Sequence, residues 1–292
     1  MKILVTGANG QVGHCLTEQL TKFDDIETLS LDVQGLDITD ESAVNEVVQS
    51  FQPDIIINAA AHTAVDKAET DIENAYAINE KGAGYLALAA DKISATIFHI
   101  STDYVFSGDK VGEYTEEDPT NPQSIYGASK LAGEIAVQKG NPKHIILRTA
   151  WVFGEVGNNF IKTMLRLGKE RTELSIVGDQ LGGPTYAGDI AEALISIALK
   201  LKDNQSVQYG LYHFSGLPHV SWFEFAQEIF TTAQEKGVLV STPILSSIKT
   251  EQYPTPAKRP ANSTLSTCKI TNTFGIKASD WKLALNNIKA YQ

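Results

Sequence analysis

The chain begins with a short apolar run of strand length, Met1-Lys2-Ile3-Leu4-Val5-Thr6, and glycines follow it at once in Gly7-Ala8-Asn9-Gly10-Gln11-Val12-Gly13. From 11 to 23 the pattern changes period. Val12, Leu16 and Leu20 recur every fourth residue and define one face of a helix. The alternation then repeats. Residues 26–31 read as a second strand. Thr39-Asp40-Glu41 reads as a helix start, with acids where the helix dipole favours them. Residues 54–58, preceded by Pro53, form a buried third strand, and an Ala-rich helix is predicted over 72–92. A fourth strand at 96–100, a helix over 126–138 and a strand at 144–149 complete the series.

Strands separated by helices at this spacing predict an α/β fold with a Rossmann-type, doubly wound parallel sheet. The segments after successive strands then converge outside the strands' carboxyl ends. These are the Gly7–Gly13 turn, 59–63, 101–106 and Trp151. Beyond Trp151 the alternation weakens. A helix is expected over 158–171, strands at 174–177 and 211–214 (the latter rejoining the main sheet), and a helix over 221–236 carrying Trp222, Phe223 and Phe225. Pro254, Pro256 and Pro260 mark an irregular stretch before a last helix. The expected division is a Rossmann domain over 1–150, with a returning segment near 185–216, and a smaller C-terminal substrate-binding lobe from 151–184 and 217–292.

At 292 residues the chain is long enough for such a division. No apolar run approaches the roughly 20 residues of a membrane span, so no membrane partner is expected. The net charge of −11 argues against a nucleic-acid partner, and an anionic substrate would need a local basic pocket. Cys15 and Cys268 lie far apart, with neither a disulfide framework nor a zinc pattern, which fits a reducing cytoplasm.

Two motifs carry chemistry. Strand, glycine turn and helix is the arrangement that cradles a pyrophosphate, with backbone N–H groups at the helix N-terminus facing it. The spacing of Gly7, Gly10 and Gly13 is not the usual G-x-G-x-x-G, so the context carries the reading. Asp32 follows the second strand, where a carboxylate can accept hydrogen bonds from ribose hydroxyls. No arginine lies beside it, so NADH is expected to serve as well as NADPH. The second motif is Tyr126 and Lys130 in Ser124-Ile125-Tyr126-Gly127-Ala128-Ser129-Lys130. Residues i and i+4 share a helix face, so the ammonium is expected to lower the Tyr126 pKa and make it a usable acid or base.

These segments resemble the extended short-chain dehydrogenase/reductase superfamily and, within it, the dTDP-4-dehydrorhamnose reductase family. Further segments carry the resemblance nearly end to end: Asn58-Ala59-Ala60-Ala61-His62-Thr63, Ser101-Thr102-Asp103-Tyr104-Val105-Phe106, Arg148-Thr149-Ala150-Trp151, Gly157-Asn158-Asn159-Phe160, Asp179-Gln180-Leu181-Gly182-Gly183-Pro184-Thr185 and Arg259-Pro260-Ala261-Asn262-Ser263. The resemblance implies NAD(P)H-dependent reduction of the C4 ketone of a dTDP-linked sugar. Thr102, Tyr126 and Lys130 would be catalytic. Gly7, Asn9, Gly10, Gln11, Val12, Gly13, Asp32, Asp37, Ile38, Ala60, Ala61, His62 and Thr63 would contact the cofactor, along with Tyr126 and Lys130. Thr102, Asp103, Val105, Trp151, Asn159 and Arg259 would contact the nucleotide sugar, with Lys162, Arg166 and Lys258 as further cations for its diphosphate.

Some members of the family hold Mg²⁺ through glutamates. The corresponding positions here are Cys15 and Gly188, so no metal ligand is assigned. Monomer and homodimer both remain open. Two other activities share the fold. A dehydratase or epimerase is one, although a dehydratase carries Asp-Glu after the active-site threonine and this chain carries Asp103-Tyr104. A non-catalytic dinucleotide-binding regulatory subunit is the other, and the intact Thr102/Tyr126/Lys130 set speaks against it.

Overall fold

In the computed structural model, which describes residues 1–203 and 205–292, six strands form one parallel sheet. They are β1 (Lys2–Thr6), β2 (Glu27–Leu31), β3 (Ile55–Asn58), β4 (Thr96–Thr102), β5 (His144–Thr149) and β6 (Gly210–His213), in spatial order β6-β5-β4-β3-β1-β2. The order reverses between β1 and β3, which opens a crevice at their carboxyl ends.

Strand alternation sends neighbouring side chains to opposite faces. Ile3 and Val5 pack with Val12, Leu16 and Leu20 of α1 (Gln11–Leu20), while Leu4 packs on the other face with Val44 and Val48 of α2 (Glu41–Phe51). The Asp40 carboxylate caps α2 by accepting from the N–H groups of Ser42 and Ala43. The sheet is therefore covered on both sides, and its central strands read as unbroken apolar runs because both of their faces are dry.

The helix expected over 72–92 is not uniformly α. Ile72–Tyr76 leads into a π-helical stretch, Ala77–Gly82, before α3 (Ala83–Lys92). The bulge has a packing cause. It brings Asn79 to a place where its side chain accepts from the His62 N–H at 2.8 Å and donates to the His62 carbonyl at 3.1 Å and the Ser129 hydroxyl at 3.0 Å. Apolar periodicity carries no trace of that change.

A second core lies beyond Trp151. It joins Ile161, Met164 and Leu165 of α5 (Phe160–Glu170) to Phe225, Ile229 and Phe230 of α7 (Trp222–Glu235), and both helices to Trp281 and Tyr291. Before both in sequence, α4 (Ile125–Gly140) flanks the sheet, and between them α6 (Ala187–Lys202) packs on α1. Ser221 and Glu224 form a capping box that starts α7. Ile270 and Phe274 of the helix Cys268–Phe274 pack with Tyr212 in the core on the main sheet.

Candidate active site

A cavity of about 690 Å³ opens over the β1/β3 switch point. Its wall contains Gly7, Asn9, Gly10, Gln11 and Val12 from the first turn, and Asp32, Asp37 and Ile38 after β2. Ala60, Ala61 and Thr63 line it after β3, and Thr102 at the end of β4 with Asp103 and Tyr104 beyond it. Tyr126 and Lys130 come from α4, and Trp151 from the chain after β5. Residues far apart in sequence thus meet because parallel strands end on one side of the sheet.

The glycine turn fits a dinucleotide. Gly7 has φ +71°, and a Cβ there would sit 2.6 Å from the Ala60 nitrogen. A Cβ at Gly13 would sit 2.0 Å from the Gly7 carbonyl oxygen, so the turn closes only without side chains. Gly13 is buried in that contact and is not part of the wall. Gly10 caps α1 with no side-chain hydrogen bond, which leaves the first N–H groups of the helix without a side-chain cap. Asp32 Oδ1 accepts from the N–H groups of Gln34 and Gly35, and Oδ2 accepts from Asn9 Nδ2, so the carboxylate is held in place at the cavity edge. Asn58 ends β3 and ties three segments together. Its Oδ1 accepts from the Thr6 hydroxyl at 2.8 Å and from the Ala60 N–H at 3.1 Å, and its Nδ2 lies 3.1 Å from His99 Nδ1.

Tyr126, Lys130 and Glu134 follow one another on one face of α4, Tyr126 half-buried at the cavity and the other two buried. Ser124 caps the helix by accepting from the Gly127 N–H at 3.1 Å, which fixes where Tyr126 enters. Lys130 Nζ donates to the Ile100 carbonyl at 2.6 Å. Glu134 accepts from the Ser101 hydroxyl at 2.5 Å and takes a bidentate pair from Arg148 at 2.8 and 2.7 Å. The end of β4 is thus pinned to α4 at two successive residues.

The expected tuning of Tyr126 is corrected by this geometry. Burial raises its pKa above the usual tyrosine value, with the Asp103 and Tyr104 charges adding to the rise and a Thr102 hydrogen bond opposing it. Lys130 is not among the groups that shift Tyr126, and its ammonium donates to the Ile100 carbonyl. Its own pKa is lowered to about 8 by burial, with Glu134 opposing. The Tyr126 phenol is therefore protonated and able to donate, although a raised pKa by itself makes it a weaker acid than free tyrosine. Beside it, Thr102 Oγ1 donates to Asp103 Oδ1 at 2.9 Å and accepts from the Tyr104 N–H at 3.2 Å. Burial pushes the Asp103 carboxyl up to about 6, and Asp103 Oδ2 is a buried oxygen without a hydrogen-bond partner among the described residues.

Other expected contacts fall elsewhere. Val105 is fully buried and packs with Phe106, Tyr114 and Leu265, because it lies in the 3-10 turn that turns away from the cavity. Asn159 caps α5, accepting from the Lys162 N–H at 3.1 Å, and donates to Gln11 Oε1 at 3.0 Å and to the Gly154 carbonyl at 2.8 Å. It braces the wall through Gln11. His62 exchanges its backbone bonds with Asn79 and does not line the cavity. Arg259 pairs with Asp66 Oδ2 at 2.7 Å and donates to the Tyr104 hydroxyl at 3.1 Å, so it stands behind a wall residue. Lys162, Arg166 and Lys258 are also outside the wall. Arg166 is paired with Glu170 at 3.0 Å. Burial, with Glu155, Glu18 and Asp189 adding to it, pushes the Cys15 thiol up to about 12, which makes it a poor thiolate ligand.

Trp151 has φ +48°, an uncommon backbone conformation for a bulky residue. Its indole stacks on Trp222 with ring centroids 3.5 Å apart and planes 9° from parallel, and Gly182 leaves room beside it. Sequence reasoning singled out Trp151 and missed its support, Trp222, as it missed Asn79, Glu134 and Arg148. For Glu134 a signal existed, since it continues the four-residue spacing of Tyr126 and Lys130.

A doubly wound sheet with a glycine turn, a threonine at the end of β4 and a Tyr-x-x-x-Lys helix defines an NAD(P)-dependent enzyme of the extended short-chain dehydrogenase/reductase class. The RmlD substrate binding domain family matches residues 1–291, and the chain belongs to that family. It is 51% identical over 290 residues to the dTDP-4-dehydrorhamnose reductase of Aggregatibacter actinomycetemcomitans, covering 99% of both chains. The crystal structure of a dTDP-4-dehydrorhamnose reductase from Clostridium acetobutylicum superposes with a TM-score of 0.91 at 43% identity, covering 99% of this chain and 98% of that one. The Bacillus anthracis enzyme in complex with NADP gives 0.89 at 40% identity, covering 100% and 99%.

Proposed function

We propose that the chain catalyses the NAD(P)H-dependent reduction of the C4 ketone of dTDP-4-dehydro-β-L-rhamnose to give dTDP-L-rhamnose. The observation that carries the reading is the meeting of Thr102, Tyr126 and Lys130 on one wall of the cavity that also holds the glycine turn and Asp32. The nicotinamide cofactor, when bound, supplies a hydride to C4. Tyr126 gives its phenolic proton to the ketone oxygen in the same step. Thr102 stands beside it to hydrogen-bond that oxygen. Lys130, fixed to the Ile100 carbonyl, is assigned to the nicotinamide ribose. Asp32 is assigned to the adenosine ribose hydroxyls, with Asp37 and Ile38 beside the adenine. Trp151 is assigned to the sugar, and its stack on Trp222 would hold the indole still while the ketone is oriented.

The nucleotide matters because its diphosphate binds away from the reacting carbon and so orients it. Asp103-Tyr104 in place of Asp-Glu disfavours a dehydratase. We assign the reaction to the cytoplasm. The two cysteines are free, which suits a reducing compartment, and among the described residues no helix is long and apolar enough to cross a membrane.

The test is consumption of NADPH and of NADH with a panel of nucleotide 4-ketosugars and the free sugar. The expected result is turnover of the dTDP-linked sugar, with dTDP-L-rhamnose as product and far lower kcat/KM for the free sugar. Equal reduction of the free sugar contradicts the nucleotide-sugar assignment. Reaction of UDP- or GDP-linked sugars alone keeps the reductase and removes the dTDP assignment. Cofactor binding without turnover of any of them favours a regulatory subunit.

A further inference from the structure

We infer that Tyr104 is a positioning residue for this reaction, coupling the catalytic tyrosine to the guanidinium of Arg259. The inference rests on the reading of the site just given. Tyr104 touches every part that must move together. Its N–H donates to Thr102 Oγ1 at 3.2 Å. Its ring meets Tyr126 edge to face, with centroids 5.4 Å apart and planes at 74°. Its hydroxyl accepts from Arg259 at 3.1 Å.

Each contact is backed from behind. The backbone of Tyr104 is pressed on the start of α4, where a Cβ at Gly127 would lie 2.2 Å from the Tyr104 carbonyl oxygen. Only glycine at that position lets Tyr104 come so close, and the closeness is what brings the two tyrosine rings together. On the other side Arg259 is fixed by Asp66, whose second oxygen accepts from the Ala257 N–H at 3.2 Å. The irregular segment that carries Ala257 and Arg259 is thereby strapped to the short helix Val65–Ala68, and Val65 is a wall residue. Tyr104 is the one side chain in this arrangement that reaches both Arg259 and Tyr126.

Two consequences separate the ring from the hydroxyl. The ring limits where the Tyr126 phenol can stand, so its loss displaces the proton donor and acts on kcat. The hydroxyl gives Arg259 a second anchor beside Asp66, so its loss loosens a guanidinium that stands directly behind the wall and weakens its field on an anionic substrate. A residue that only filled space would not divide its effects in this way.

The experiment compares Tyr104→Phe, Tyr104→Leu, Arg259→Ala and the double variant Tyr104→Phe/Arg259→Ala as full-length proteins. NADPH consumption is measured with the dTDP-linked 4-ketosugar, and NADPH affinity by fluorescence. Tyr104→Phe is expected to raise KM about fivefold while kcat falls less than about twofold, and Tyr104→Leu to lower kcat about tenfold. The Phe variant thus rescues the turnover that Leu loses. The double variant should have the KM of Arg259→Ala alone, because the hydroxyl acts through the guanidinium. NADPH affinity should be unchanged throughout. A KM for Tyr104→Phe equal to wild type, or effects of the two single changes that multiply in the double variant, overturns the coupling, and this pair decides the matter even if Tyr104→Leu does not fold. Wild-type protein that turns over no nucleotide 4-ketosugar would instead fail the functional reading itself.

Discussion

The Lys130 ammonium donates to the Ile100 carbonyl, one residue before the Ser101 hydroxyl reaches Glu134. The lysine therefore braces the end of β4 as well as facing the cavity, and it does so while buried. Burial lowers its pKa to about 8 from 10.5. A lysine with a depressed folded pKa contributes stability above its unfolded value, and that stability is lost as the pH falls through 8. Lys130→Met removes this dependence. Urea unfolding should show wild type gaining on the variant between pH 8 and pH 10.5, by roughly 3 kcal/mol at most. Stability curves that run parallel across that range would show that the ammonium is not penalised by burial.

Asp32 is held by the Gln34 and Gly35 N–H groups and by Asn9, with its carboxylate on the cavity wall. Asp32→Ala should weaken NADH binding about tenfold, since a charged hydrogen bond to a ribose hydroxyl is lost. NADPH should lose less, or gain, because a carboxylate that repels the 2′-phosphate is removed. Titration of both cofactors by fluorescence checks this. Equal losses for the two would place the ribose elsewhere.

Gly182→Ala probes the Trp151 wall from behind. The added Cβ would lie 2.4 Å from Trp151 Cε2, so the indole must shift or part from Trp222. The expected result is a KM for the nucleotide sugar raised about tenfold with NADPH affinity unchanged, since a displacement near 1 Å is costly where a substrate is oriented. The near-ultraviolet circular dichroism of the stacked indoles should change with it. An unaltered KM beside an altered spectrum would remove Trp151 from the substrate site.

Much of the architecture was legible because it follows from period. The strands are apolar runs, and α1 and α2 carry apolar stripes, with a helix start at Asp40 that the structure uses as a cap. The glycine turn was legible because its chemistry is local. What escaped depends on contacts between distant segments. The π-helical turn at Ala77–Gly82 exists to bring Asn79 against His62 and Ser129, 17 and 50 residues away. Trp222 supports Trp151 from across the lobe, and Ile270 and Phe274 pack with Tyr212 in the core on the main sheet. The direction of the Tyr126 shift was misread for the same reason. Helical spacing puts Lys130 on the right face, but the ammonium's direction is set by the Ile100 carbonyl on another element.

The central claim is that Tyr126 delivers the proton as the ketone is reduced, and Tyr126→Phe tests it most directly. The ring and its packing against Tyr104 are kept, and the only group lost is the hydroxyl. Single-turnover reduction of the dTDP-linked 4-ketosugar should be followed as NADPH absorbance decays, with NADPH affinity measured in the same preparation. The account predicts unchanged NADPH affinity and a rate lower by about 100-fold or more. A rate within a few-fold of wild type would contradict it, because the proton would then come from another group.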